Sequence, residues 1–415
     1  MLPVGPGGSK PLLAGGVGSG EEDGADRAET SRWFPFDVCG LALGTAGLGH
    51  AWVLAASDDS ICRDLGLMPN TARCGAHACC ALSLVLLLVV AAESSAVAAG
   101  RRAVPRLLGE VGCGATRTPS AATACMAMML NCYDFAMYGG ADAALGVWRV
   151  LWAVAVLCHG AALVSFVLHV RCVVLTASRS RSGGGGRECL RALLGAMTNL
   201  FVVPPVGIGV AVTSGACFSA GPGLGAAVAE QLRRVGYCVS LSSLLVMAPL
   251  LAARVASAWP ACGARHTPLP PGMAATTAVL AAPFGVALTA VLKMRYLPIS
   301  EAALRALAGV LIGLNAAALV TLALHARRIA AEGFQPSWSA LTFPLAISVA
   351  GALSWRAAGY AVGGWAGASA AWAEALLLVA TAVVVGVWCG TLRHAWCTGM
   401  STGRMSLLYE YEYAH

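Results

Sequence analysis

The sequence has very little charge for its length. Only 11% of its 415 residues are Asp, Glu, Lys or Arg, and 58% are hydrophobic, whereas soluble domains carry roughly 25% charged residues. The mean hydropathy is +0.73. A water-facing protein of this size needs a charged surface to stay dispersed, so this composition excludes a soluble enzyme. We therefore expect lipid to be the solvent for most of the chain.

The chain also lacks the residue clusters that metal, phosphate and nucleic-acid sites require. Its 16 cysteines fall mostly inside apolar segments, where cysteine acts as a small hydrophobic residue, and Cys79-Cys80 has no zinc-ligand spacing around it. The glycine run 183–186 precedes no Lys-Ser/Thr pair, so it predicts a flexible linker. Basic residues are scattered despite a net charge of +7, which argues against a nucleic-acid partner. The sequence predicts no metal, no cofactor and no catalytic residues.

Ten apolar segments are long enough to cross a membrane. A helix needs about 20 apolar residues to cross the hydrocarbon core with its backbone hydrogen bonds satisfied. The third segment is the weakest, because Asn131, Tyr133 and Asp134 interrupt it. The predicted spans are 33–57, 74–99, 118–139, 144–171, 191–217, 224–255, 270–294, 301–326, 336–360 and 367–393.

The distribution of arginine predicts the orientation. Lys and Arg concentrate in the cytoplasmic loops of membrane proteins, and with ten spans the Arg-rich loops 101–117 and 171–187 fall on the same side as both termini. A nine-span reading without the third segment would move later Arg-rich loops outside. We therefore predict a protein of the plasma membrane with both termini cytoplasmic. It would have a disordered tail over 1–31, a ten-helix transmembrane domain over 32–396 and a second cytoplasmic tail over 397–415.

Prolines favour the odd-numbered spans. Proline bends a membrane helix and is tolerated where the freed carbonyl faces protein or a water-filled cavity. Among the even spans only the sixth contains one, Pro249. This bias predicts an all-α integral membrane protein in which ten transmembrane helices form five helical hairpins in a ring, with the bent odd helices around a central pore. The alternative is that Pro and Gly are simply common in membrane helices. Prolines of the odd spans include Pro35, Pro119, Pro204, Pro205, Pro283 and Pro344.

Three odd spans carry motifs that resemble one known family. The first span reads FP and then GLALGTAGLGHAW over 40–52, the seventh has LPP over 269–271 and AAPF over 281–284, and the ninth has WSALTFPL over 338–345. These stretches resemble the tellurite-resistance and dicarboxylate transporter family within the voltage-dependent anion channel superfamily. That family includes bacterial TehA-like proteins, fungal malate permeases and sulfite exporters, and the slow-type anion channels of plant guard cells.

The resemblance implies a homotrimer in which each protomer has its own pore, blocked midway by a phenylalanine of the ninth span. That phenylalanine is Phe343 in this sequence. Phe284 stands where the family usually has serine, which leaves the pore width and the substrate open. The implied function is passage of small anions of the chloride, nitrate, sulfite or malate class. The residues expected to shape the pore are Pro35, Pro204, Pro205, Pro283, Phe284 and Pro344.

Two carboxylates leave the mechanism open. Asp37 lies near the start of the first span, and Asp134 lies about two turns from the outer end of the third. Asp134 could line the path or form a proton-linked gate, although an aspartate bonded to a neighbouring helix is the simpler interpretation. The leading hypothesis is a passive or weakly coupled anion channel or exporter. The alternative is a proton-coupled C4-dicarboxylate carrier or a sulfite efflux pump, in which Asp134 or Asp37 would bind the proton.

A regulatory partner is also open. The acidic N-terminal tail contains Ser19, Thr30 and Ser31, which are available acceptors for a regulatory kinase.

Overall fold

The computed structural model describes residues 36–100, 117–138, 142–179, 199–220, 222–258, 274–294, 299–360 and 365–412. The predicted tail 1–31 and Pro35 lie outside these residues. Within the described ranges the regular structure is entirely helical. The helices are α1 (Phe36–Ala56), α2 (Asp59–Asp64), α3 (Pro69–Gly100), α4 (Arg117–Tyr138), α5 (Asp142–Arg179), α6 (Val203–Gly207), α7 (Val210–Ser214), α8 (Leu224–Ala258), α9 (Ala282–Met294), α10 (Glu301–Ala331), α11 (Ser339–Ala357) and α12 (Trp365–Glu412). Short 3-10 helices, Asn199–Val202, Ala274–Leu280 and Pro336–Trp338, precede α6, α9 and α11.

Eight helical segments in the described chain are long and apolar enough to cross a membrane. They comprise α1, α3, α5, α8, α10, α11, α12 and the segment Ala274–Met294, which consists of the 3-10 helix Ala274–Leu280 and α9. The prediction of an all-α integral membrane protein is therefore confirmed. The other two predicted spans are helical but differ from this group. Polar residues lower the mean hydropathy of α4. The fifth span is divided into three short helices between Asn199 and Ser214.

The helices separate into a buried inner set and an exposed outer set. Buried residues make up 83% of the apolar stretch of α1, 94% of the segment ending in α9 and 78% of that of α11, against 22–33% for α3, α5, α8, α10 and α12. The short helices between Asn199 and Ser214 are also buried almost throughout. Most described side chains of α4 are buried as well, so the inner helices are the odd predicted spans, where proline concentrates. The outer helices expose apolar side chains such as Leu157 and Leu245, as lipid contact requires.

The inner helices α1 and α11 pack closely because glycines of α1 face α11. A Cβ atom added at Gly44 would lie 1.8 Å from Oγ1 and 2.2 Å from Cβ of Thr342, and one at Gly40 would lie 2.7 Å from Oγ of Ser339. The Thr342 hydroxyl donates a hydrogen bond of 2.6 Å to the carbonyl of Ser339, so its position is fixed. A glycine side facing a second helix lets the two backbones approach each other.

Polar side chains of the outer helices bond to the backbone where the inner segments are irregular. Ser240 of α8 donates to the carbonyl of Val206 at 2.9 Å. His159 of α5 is fully buried, and its Nε2 lies 2.9 Å from the carbonyl oxygen of Pro204. Because hydrocarbon offers no water to broken helices, these contacts make the interrupted fifth span tolerable inside the protein.

We expect replacement of Asn315 by Leu to destabilise the protein by about 1–3 kcal/mol. Asn315 of α10 is buried, and its Nδ2 donates to the carbonyl of Ala281 and to Oγ of Ser348, each at 2.9 Å. The substitution removes this link between the segment of α9 and α11. Thermal unfolding of the purified protein in detergent measures the loss. Ala317→Leu, on the exposed face of the same helix, is the matched control and should leave the stability unchanged.

Candidate functional site

One cavity lies where the five inner segments meet. The volume of this cavity is about 50 Å³. Every inner segment contributes to its wall, through Leu43 of α1, Met126 of α4, Val206 of α6, Pro283 of α9 and Phe343 of α11. The outer helices contribute none of the described lining residues. The cavity is therefore a feature of the inner helices alone.

The lining of this cavity is apolar. None of the described residues that line it is ionisable, and its hydroxyl side chains are those of Thr123 and Ser339. The Thr123 hydroxyl donates to the carbonyl of Pro119 at 2.7 Å, so it is engaged with its own helix. Such a wall offers no nucleophile paired with a base. It can confine an ion or exclude water, which are the functions of a constriction in a pore.

Phe343 is held in the cavity wall by a glycine. Its side chain is 6% exposed, and a Cβ atom added at Gly47 of α1 would lie 3.2 Å from Cδ2 of its ring. The ring therefore occupies space that the missing side chain of Gly47 leaves open. Pro344, the next residue, lies inside α11 and also lines the cavity. Its carbonyl accepts a hydrogen bond of 2.7 Å from the Ser348 hydroxyl.

The predicted pore-shaping residues have different positions. Pro283 and Pro344 line the cavity. Pro204 and Pro205 are buried in α6, the helix that also supplies lining valines. Phe284 is half-buried among neighbouring apolar side chains and is not one of the lining residues. Pro283 and Pro344 therefore mark the position of the cavity in the sequence, and Phe284 does not.

A buried histidine and a buried aspartate face each other one helical turn beyond Gly47. Asp134 of α4 is 1% exposed and His50 of α1 is 2% exposed, and Nδ1 of His50 lies 3.6 Å from Oδ1 of Asp134. The Cys80 thiol donates to Oδ2 of the same carboxylate at 3.0 Å. The His50 ring stands edge-on to the ring of Tyr133, with 5.1 Å between centroids. The expected contact of Asp134 with neighbouring helices is thus present.

Two basic side chains lie close to this pair. Lys293 of α9 has its Nζ 5.8 Å from the ring centre of Tyr133 and interacts electrostatically with Asp134 and Arg233. Arg233 of α8 is paired with Glu230 at 3.0 Å. Lys293 forms no ion pair within 4 Å among the residues that the structure describes. We refer to His50, Asp134 and Lys293 as the ionisable cluster.

A wider opening of about 790 Å³ lies at the Ala56 end of α1, and Lys293, Arg63 and Asp58 line it. Arg356 of α11 pairs with Asp58 at 2.9 Å and also contacts the Ser60 hydroxyl. Partial burial raises the pKa of Asp58, but the hydrogen bonds from Ser60 and the charge of Arg356 outweigh burial and hold this pKa below its usual value. Asp58 therefore stays ionised at neutral pH and balances Arg356.

Some of these residues could be predicted from the sequence and others could not. Phe343 and Asp134 were predicted as candidate site residues. His50 was not, because it is a single polar residue within an apolar run. Asp37 lies in the first turn of α1, and its side chain is outside the part of the chain that the structure describes. Among the described residues, no group of three or more His, Cys, Asp or Glu side chains could hold a metal ion.

Comparison with known proteins gives one family. Residues 33–392 match a family model described as voltage-dependent anion channel. The matched region includes all five inner segments, the cavity and the ionisable cluster. No curated protein matches the chain.

Proposed function

Because the chain belongs to the voltage-dependent anion channel family, we propose that it lets small anions cross a membrane through a pore inside each protomer. Members of this family are anion channels and transporters, and the resemblance carried by the first, seventh and ninth spans is confirmed. The observation that carries the proposal is the meeting of all five inner segments at one uncharged cavity. In this proposal ten helices form five hairpins in a ring, with the outer helices against lipid.

Phe343 is the proposed gate of this pore. Its ring lies in the wall of a narrow apolar cavity, where an aromatic side chain can block ions by filling the space and by excluding water. Basic side chains such as Lys293 and Arg63 at the wider opening would raise the local anion concentration. The protein performs no chemistry on the ion in this mechanism. Pro344 shapes the wall because it removes a backbone hydrogen bond inside α11, and Pro283 does so because it lies in the first turn of α9, directly after the 3-10 helix Ala274–Leu280.

A proton-coupled carrier of C4-dicarboxylates, or a sulfite efflux pump, is the second candidate. The buried pair of His50 and Asp134 favours it, because a proton taken up there would change the charge of the inner helices. The resemblance further supports a homotrimer, and the arginine distribution favours both termini on the cytoplasmic side of the plasma membrane. It also leaves room for a regulatory kinase acting on the tail 1–31, which lies outside the described residues.

Anion flux into proteoliposomes tests the proposal. We expect chloride, nitrate, sulfite or malate to move down its own gradient without any imposed proton gradient, because a channel needs no coupling ion. Flux of each anion is followed with and without a pH difference across the membrane, and protein-free vesicles give the background leak. Flux that requires the pH difference would identify the carrier instead. A folded, reconstituted protein that moves none of these anions would contradict both candidates.

A further inference from the structure

One face of α1 connects the cavity to the ionisable cluster. Gly40 and Leu43 line the cavity, and Gly47 contacts the ring of Phe343. His50 and Leu54 follow at the same spacing of three or four residues, which places them on the same helix face, and Leu54 lines the wider opening. The side of α1 that meets the cavity therefore continues through His50 to the opening.

The helices α4 and α9 continue in the same direction. On α4, Met126 lines the cavity and Asp134 lies about two turns further along the same face. On α9, Val286 lines the cavity, and Lys293, about two turns further, lines the wider opening. Three inner helix faces thus lead from the cavity, past the ring of Phe343, to the ionisable cluster.

The cluster holds buried polar atoms without hydrogen bonds. Nδ1 of His50 and Oδ1 of Asp134 are buried and make no hydrogen bond, and they lie 3.6 Å apart. Lys293 has only a ring contact in place of an ion pair among the described residues. A buried polar group without a hydrogen bond costs stability, and a bound ion is one way to satisfy such a group.

We infer that His50, Asp134 and Lys293 form a binding site for one small anion and one proton on the far side of Phe343 from the cavity. The inference rests on the proposed function, because it gives the permeating anion a binding site along the same path as the cavity. The anion would bind beside the Lys293 ammonium group. The proton would bind at the pair of His50 and Asp134, where the two unpartnered atoms face each other.

The charges of the cluster couple the proton to the anion. When His50 is neutral, the carboxylate of Asp134 balances the ammonium group of Lys293, and the cluster has no net charge. One added proton raises the net charge to +1, which favours an anion in a site shielded from water. By thermodynamic linkage, a bound anion then strengthens proton binding by the same factor.

Other polar and charged side chains beside the cluster already have partners. Cys80 is a hydrogen-bond donor to Asp134, and Arg233 pairs with Glu230, which also pairs with Arg234. Imidazole is the side chain whose charge ordinarily changes between about pH 5 and pH 8. Other titratable or charged groups on the elements around the cluster include His77 and Cys79 of α3, Tyr133 of α4, Arg149 of α5, Cys217 after α7, Glu374 of α12, and Arg63, Asp58 and Arg356 at the opening.

Nitrate and chloride flux at equal pH on both sides of the vesicle membrane tests the inference. We expect wild-type flux to rise roughly fivefold or more as the pH falls from about 8 to about 5. His50→Gln should hold flux at the low level at every pH. Asp134→Asn should give high flux already at the upper end of this range, because Lys293 is then unbalanced. Lys293→Gln should lower flux at every pH while keeping the rise on acidification.

Two variants control for titration elsewhere. His77→Gln changes a half-exposed histidine outside the cluster and should keep the wild-type pH profile. Asp58→Asn should keep it as well, because the lowered pKa of Asp58 leaves this carboxylate ionised over the whole range tested. Any contribution of the pair of Asp58 and Arg356 to the free energy of unfolding is present at neutral pH. It is lost only as the pH falls through the lowered pKa of Asp58.

The outcomes separate failure of the inference from failure of the proposed function. Wild-type flux that does not change with pH, or a His50→Gln variant that keeps the full rise, would overturn the inference while anion transport stands. Absence of flux in every folded variant would overturn the proposed function itself. A second measurement needs no transport: nitrate should raise the unfolding temperature of detergent-solubilised wild type more at about pH 5 than at about pH 8, and His50→Gln should abolish this difference.

Discussion

Truncation of Phe343 to Ala is expected to raise the resting anion conductance roughly tenfold or more while the protein remains folded. The ring lies in the wall of the cavity that all five inner segments share, and Gly47 of α1 lies against it. Removal of the ring widens this constriction and lets water enter, so the barrier to an ion falls. Electrical recordings from planar bilayers or flux into proteoliposomes give the conductance.

Two further variants distinguish a gate from a packing residue. Phe343→Leu keeps most of the bulk and should conduct little more than wild type. Phe218→Ala makes the same truncation at a fully buried ring that packs on Trp152 and does not line the cavity. That variant should lose about 3–5 kcal/mol of stability without a gain in conductance. A Phe343→Ala protein that unfolds like Phe218→Ala, or that conducts no more than wild type, would refute the gate.

Replacement of Gly44 by Ala is expected to destabilise the protein by about 3 kcal/mol or more. The added methyl group would overlap Oγ1 and Cβ of Thr342, at 1.8 Å and 2.2 Å. Thr342 is fully buried, and its hydroxyl is bonded to the carbonyl of Ser339, so the side chain cannot rotate away freely. The helices α1 and α11 would have to separate, which a lower unfolding temperature would report.

The matched control for Gly44 is Gly386→Ala. Gly386 lies in α12 with no other atom within 4 Å of an added Cβ, so Ala there should stabilise the helix by up to about 1 kcal/mol. The double variant Gly44→Ala with Thr342→Gly moves the small residue to the other helix and should recover part of the lost stability. Equal stability of Gly44→Ala and Gly386→Ala would show that the contact between α1 and α11 is looser than described.

The inner and outer helices could be predicted from the sequence because proline frees a backbone carbonyl that protein or water can satisfy and lipid cannot. Pro283 and Pro344 mark inner helices for that reason, and both line the cavity. The division of the fifth span into short helices is less visible, because the apolar run around Pro204 has the composition of a continuous span. Its breaks depend on bonds from Ser240 and His159, which lie on other helices.

The ionisable cluster could not be predicted from the sequence. His50 and Asp134 lie in different helices far apart in the chain, and each alone is compatible with a polar residue bonded to its own surroundings. Their opposition follows from the packing of α1 against α4, which no local pattern encodes. The length of α12 is a second example. The segment from residue 397, predicted as a tail, continues as helix to Glu412, because extending a helix that has already formed costs less than starting a new one.

The glycine contacts of α1 also determine how quickly the constriction can change. Next to Gly44, the backbone of α11 at Thr342 has no room to approach α1, and Ser339 is similarly restricted opposite Gly40. A swing of the whole helix is therefore obstructed immediately before Phe343, whereas rotation of its ring requires no backbone movement. Side-chain rotations are faster than the collective helix motions that take microseconds to milliseconds. Single-protein currents should accordingly show brief flickers within each opening, with a rate that depends on the size of residue 343.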